Sequence, residues 1–221
     1  MVKGLVKHFF LGLMAVVVIV LGSSLFTATT ATTMFYYSIT DLGTLGGNIS
    51  DAHSINDQGQ VVGDAYTNSG ALHAVLWDKE NKTDLGALTP DLGSVALGIN
   101  NKGQIVGYTA TDMGLFRAVL WDNGTVTDLG VLPDYYDSIA ASINDEGQIV
   151  GTSRNNYGIP EAVKWENGNI TGLGVLYGMG SEALGINSAG QIVGYSSASS
   201  GKHAVKWENG AITDLRHPWW Q

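Results

Sequence analysis

Cysteine is absent from the 221 residues, which removes disulfide frameworks, thiolate zinc sites, redox pairs and cysteine nucleophiles together. The same absence excludes a lipoprotein, because no thiol exists to carry the lipid. Basic residues are scarce, 11 against 20 acidic ones, for a formal net charge of −9. The chain therefore lacks the electrostatic footprint of a nucleic-acid binder, and no nucleic-acid partner is expected. Charged residues are only 14% of the total. Beyond the first thirty residues, no stretch sustains the i, i+3, i+4 apolar spacing of a helix. What is abundant is glycine, at 30 residues, together with 44% apolar residues. Many turns around a substantial core are implied, and a fully disordered chain is excluded.

The N-terminus carries an address. Lys3, Lys7 and His8 precede an apolar run from Phe9 to Leu21, followed by small and polar residues to Thr33. The run is shorter than the ~20 residues that span a bilayer and suits a secretory signal. Residues 1–31 are read as a signal peptide cleaved near Ala31, with Ala28 as a competing site and an uncleaved anchor as the alternative. The expected location is extracellular, periplasmic or at the cell surface, with no stable membrane insertion after cleavage.

The rest, 32–221, is one repeat domain. Ile-Asn-x-x-Gly-Gln-(Val/Ile)-Val-Gly begins at Ile55, Ile99, Ile143 and Ile186, so its asparagines lie 44, 44 and 43 residues apart. Ala-Val-x-Trp ends at Trp77, Trp121, Trp165 and Trp207, while Thr-x-Leu ends at Leu42, Leu85, Leu129, Leu173 and Leu215. Repeat units of about 38–78, 82–122, 126–166 and 170–208 follow, with a closing strand at 211–215.

Each unit reads as four short strands. In the first these are 38–42, 52–56, 60–66 and 72–77. Asn56 to Gly59 and its copies suit a type I turn with a left-handed glycine, and Asn123-Gly124, Asn167-Gly168 and Asn209-Gly210 are strong hairpin signals. The spacing predicts an all-β fold, a β-propeller-like array of four four-stranded repeats of ~44 residues. The longest link, 43–51 and its copies, is read as the passage between blades. Each blade then runs strand two, three, four, next one, with strand two nearest the axis. Strand 38–42 is left over, and a closed ring, an open arc and a homodimer through that unpaired edge strand all remain open.

The Asn-x-x-Gly-Gln-x-Val-Gly and Asp-Leu-Gly-x-Leu runs, with the triplets His73-Ala74-Val75, Arg117-Ala118-Val119, Glu161-Ala162-Val163 and His203-Ala204-Val205, resemble the HAF family of extracellular repeat proteins over nearly all of 37–215. The resemblance implies export and repetition and carries no activity, cofactor or catalytic residues. The varied first position of the triplet marks it as structural.

No nucleophile elbow, phosphate loop or zincin helix is present, and no cofactor, metal site or catalytic residue is expected. His73 and His203 occupy a slot that elsewhere holds Arg117 and Glu161, and His53 one that elsewhere holds Leu97, Ala141 and Leu184; neither is the pattern of a ligand set. Strand one ends in Asp41, Asp84, Asp128 and Asp214, but Gly172 breaks that carboxylate ring. What varies among copies is one set of loops, which an up-and-down blade gathers at one end. These loops carry Tyr66, Asp91, Asp112, Asp134, Tyr135, Tyr136, Asp137, Arg154, Tyr157 and Tyr177. Aromatics mixed with charge suit a binding surface for a glycan or protein ligand. A noncatalytic recognition module is therefore the expected function. The alternatives are a carbohydrate-active hydrolase or lyase using Asp134 and Asp137 with Arg154, and a purely structural envelope or matrix component.

Overall fold

Asparagine and glycine turns cut this chain into short strands that pair with their sequence neighbours, and each resulting sheet packs on one a repeat away. The computed structural model describes residues 17–21, 24–28, 37–90, 92–176, 178–198 and 201–215, and the chain forms two compact units, Met1–Asp41 and Leu42–Gln221. In the first, β1 (Val17–Leu21) and β2 (Ser24–Ala28) pair as an antiparallel hairpin. The lysines of the expected signal and its cleavage site near Ala31 lie outside the described residues. Among the described residues no helix is long and apolar enough to cross a membrane.

The second unit is four antiparallel four-stranded sheets, called blades here. Blade 1 is β3 (Gly46–Ile55), β4 (Val61–Thr67), β5 (Leu72–Asp78) and β6 (Asn81–Asp84). Blade 2 is β7 (Ser94–Ile99), β8 (Ile105–Ala110), β9 (Phe116–Asp122) and β10 (Thr125–Asp128). Blade 3 is β11 (Tyr135–Ile143), β12 (Ile149–Asn155), β13 (Pro160–Glu166) and β14 (Asn169–Gly172). Blade 4 is β15 (Ser181–Ile186), β16 (Ile192–Ala198), β17 (Gly201–Glu208) and β18 (Ala211–Asp214). Strands within every sheet follow chain order, so the passage between blades falls on the longest link, as the spacing predicts.

One expected strand does not form. Residues 37–44 are irregular, and Leu45 makes only an isolated parallel bridge to Thr67. In the later copies this segment pairs with the third strand of the blade before it, as β6 pairs with β5, and no such strand precedes it among the described residues. The edge strand through which a homodimer was left open does not form. The segment 211–215 closes blade 4 as its outer strand, β18 paired with β17, as the strand order two, three, four, next one predicts.

Two glycine positions set the blade geometry. The tight turn between the first two strands places Gly59, Gly103, Gly147 and Gly190 at φ of 78°, 77°, 81° and 74°, a region side chains rarely adopt. Within the second strand, Gly63, Gly107, Gly151 and Gly194 lie against the carbonyls of Asp51, Val95, Ile139 and Glu182 so closely that a Cβ would collide. Next to that contact each inner strand carries a bulge, as between Ala96 and Gly98.

The core lies between blades. Val62 and Ala74 of blade 1 pack with Ala96, Ile99, Val119 and Trp121 of blade 2, and the pattern repeats between blades 2 and 3 and between 3 and 4. Among the described residues no comparable packing joins blade 4 to blade 1, and the four blades form an open arc.

Candidate functional site

The two ends of the arc axis differ. At one end the tight turns of all four blades surround a cavity of about 210 Å³ lined by Asn56, Asn100, Asn144 and their neighbours. Its side chains are bound to one another. Asn56 Nδ2 donates to Asn100 O (3.1 Å), Asn100 Nδ2 to Asn144 O (3.0 Å) and Asn144 Nδ2 to Asn187 O (3.0 Å). Asp145 accepts from the Asn101 backbone N–H (2.8 Å) and Asn101 Nδ2 (3.0 Å), which holds its carboxyl below the ordinary 3.8. The concavity thus opens at the end opposite the expected recognition site.

At the other end lie the link and hairpin loops, and here blade 3 gathers part of the expected site. Asp137 and Arg154 are cross-strand partners on β11 and β12, 3.7 Å apart between Oδ1 and Nη1. Arg154 Nη2 also approaches Glu182 Oε1 of β15 at 3.8 Å, tying blade 3 to blade 4. Burial, opposed mainly by Arg154, raises the Asp137 carboxyl above its ordinary value. Tyr135 Oη donates to Glu161 Oε2 at 2.6 Å, which with burial and the carboxylate charge pushes the phenol up to about 12. Arg117 of β9 donates to the Tyr136 carbonyl (3.2 Å), bringing blade 2 into the cluster while the Tyr136 ring is half exposed.

The other expected residues stay apart. Asp134 is exposed in the turn before β11 at φ 64°. Tyr157 is 82% exposed in the β12–β13 turn, Asp112 is exposed in the β8–β9 turn, and Tyr66 is half-buried on β4. Asp91 and Tyr177 lie outside the described residues.

Arg117, Glu161 and Glu182 belong to the cluster, and the sequence reading missed them. The first two occupy the first position of the triplet, where His73 and His203 face the strand-end aspartates Asp84 (2.7 Å) and Asp214 (3.5 Å). In blade 3 the strand-end acid is Gly172, and a Cβ there would strike Glu161 Oε1. Loss of one carboxylate thus makes room for the other to turn to Tyr135. That coupled change was the available signal. Among the described residues no group of three or more His, Asp or Glu could hold a metal ion.

No family model matches the chain, and no curated protein sequence does. Solved structures do. TolB from Acinetobacter baumannii matches with a TM-score of 0.58 at 13% identity, over 76% of this chain and 43% of that one. The β-propeller domain of the Trilobed protease from Pyrococcus furiosus, described as having an open velcro topology, matches with a TM-score of 0.52 at 13% identity, over 76% and 52%. An acylaminoacyl peptidase from Pyrococcus horikoshii matches with a TM-score of 0.52 at 16% identity, over 76% and 27%. The chain spans about half the length, or less, of these structures. With no helix among its described residues and four antiparallel sheets around one axis, it has the all-β fold of a β-propeller.

Proposed function

We propose that this chain is an exported, noncatalytic recognition module, export being what its resemblance to HAF repeat proteins implies, and that it presents the loop end of blades 2 to 4 to a glycan or protein ligand. The observation that carries this reading is the cluster of Arg117, Tyr135, Tyr136, Asp137, Arg154 and Glu182. It spans three blades, yet nothing in the repeat pattern calls for it. Tyrosine and arginine held in place by neighbours supply rigid contact area and directed hydrogen bonds, the combination that dominates many interfaces.

The test is a glycan array and a protein-binding screen of the wild-type chain, followed by Tyr135→Ala with Tyr136→Ala. Loss of binding with an unchanged melting temperature is expected. Binding that survives the double change, and is lost instead with Asn123→Ala in a tight turn, would move the site to the other end. Export is checked by intact mass, with loss of the first 28 to 33 residues expected for cleavage near Ala31. A hydrolase or lyase reading is favoured by one observation, the raised carboxyl of Asp137 beside Arg154. Turnover of a bound glycan that is lost in Asp137→Asn while binding persists would establish it.

A further inference from the structure

Every blade has a face toward the blade before it and a face toward the blade after it. On the second of these, Val62, Val106 and Val150 are fully buried, whereas their copy on blade 4, Val193, is 46% exposed. Ala74, Ala118 and Ala162 are buried beside them, and their copy Ala204 is exposed. On the opposite face, Ile99 and Ile143 are 8% and 7% exposed, whereas Ile55 of blade 1 is 66% exposed. The arc therefore ends in two apolar faces that are the two halves of a junction already made three times inside the molecule.

Polar groups show the same phase. The asparagine ladder stops at Asn187, whose Nδ2 bonds Gln191 Oε1 within its own turn, and no asparagine ahead of Asn56 donates to its carbonyl. At the loop end, the buried hydroxyls of Ser94, Ser138 and Ser181 accept from the backbone N–H of Ala74, Ala118 and Ala162 at 2.9, 3.0 and 3.0 Å. The terminal copies are Ala204 and Ser50, and no such bond joins them within the chain.

The leucines remove the remaining obstacle. Leu85 and Leu88 pack in the cluster of Trp121, Leu129 and Leu132 with Trp165, and Leu173 and Leu176 with Trp207. Leu42 and Leu45 fill the corresponding place beside Trp77 of blade 1. Leu215, a fifth such leucine for the four repeat tryptophans, is 51% exposed. An incoming blade 4 thus finds the leucine seat on blade 1 already filled and needs to bring only Val193 and Ala204.

We propose that copies of this chain associate head to tail, with blade 4 of one packing on blade 1 of a second through the junction seen between successive blades. Two copies joined at both ends make a closed ring of two arcs, with the partner's Asn56 carbonyl accepting from Asn187. This inference is independent of any ligand at the loop end.

The test is light scattering coupled to size exclusion, on chains recovered from cells expressing residues 1–221. The wild type is expected at twice the single-chain mass. Val193→Glu and Ile55→Glu each damage one side of every junction, so each alone is expected at the single-chain mass. Their equimolar mixture should recover a two-chain species, because the intact blade 4 of one meets the intact blade 1 of the other. Melting temperatures confirm folding, and Ala204→Arg repeats the test if Val193→Glu fails to fold. A wild type at single-chain mass overturns the proposal. So does a variant that pairs with itself, or a mixture that does not recover.

Discussion

At the tight-turn end, four copies carry nearly the same residues and bond to each other across the blades. At the loop end the copies differ, and the polar contacts concentrate on blades 2 to 4. Asn100 at the first end is buried, and its amide bonds both its own turn and the next blade (2.8 and 3.0 Å). Tyr136 at the second end keeps half its ring in solvent while its carbonyl holds Arg117. Identical residues serve where each blade must dock on the next, because one solution works at every junction. Unlike residues appear where nothing in the fold asks for them. On the proposed function, stability and recognition are separated along the axis, and substitutions should separate them too.

The largest effect is expected within the strands that join the two ends. Gly151→Ala drives a Cβ into the Ile139 carbonyl, so the inner strand must shift. Overpacking against backbone should cost about 3 kcal/mol or more, and urea unfolding reads it. An unchanged midpoint would mean the inner strand gives way freely.

At the tight-turn end, Asn144→Ala removes the donor to Gln148 Oε1 and Asn187 O and the acceptor for the Gln148 backbone N–H. A loss of about 2–3 kcal/mol is expected from these partly buried groups, with loop-end binding untouched. Binding that fell in step with stability would erase the separation between the ends.

Gly147→Val strains a residue at φ 81° and should cost about 1–3 kcal/mol. Asp145→Ala in the same turn should cost less. From the sequence Asp145 reads as a surface carboxylate, yet its bonds to Asn101 predict a fall in melting temperature on its removal, so the expected gap between the two variants is narrower than the turn alone suggests.

The smallest effect is one of sign. Hydrogen bonds from Asn101 lower Asp145, so its contribution to stability is present above 3.8 and disappears as pH falls through its folded value. Burial raises Asp137, so its contribution is present below 3.8 and is lost as pH rises through its folded value. Melting curves of Asp145→Asn and Asp137→Asn against pH, each compared with the wild type, should therefore diverge in opposite directions. Parallel curves would refute the assigned environments.

Much of the fold was legible because it is local and repeated. Asn123-Gly124 turns at φ 49° and 77°, the double left-handed geometry its sequence signals. The first copy lacks that dipeptide, and Lys79 takes φ 56° instead, since the strands on either side already impose the turn. Strand order followed from link lengths. What could not be read depends on relations between blades. Residues 38–42 carry the strand signature but join no sheet, because among the described residues no third strand of a preceding blade stands ready for them, and a lone strand is not stable by itself. The site was legible in Tyr135, Tyr136, Asp137 and Arg154, which break register. Arg117 and Glu161 sit in register, and their role shows only once blade 3 is placed against blade 2 and Gly172 is seen to vacate space for a carboxylate.

The leucine that seats each tryptophan belongs to the segment before that blade, so the chain's unit of exchange is not the sheet. A piece that begins with the first strand of a sheet, such as at Ser94, leaves Leu85 and Leu88 behind and bares Trp121. Removal of one full period, such as from Leu42 to just before Leu85, leaves every remaining repeat tryptophan seated. Tandem duplication or deletion can therefore start at almost any point of the repeat and still yield a foldable protein, provided it proceeds in whole periods. The size of the arc, and of any ring built from it, is open to change by the commonest copying error a repetitive gene suffers.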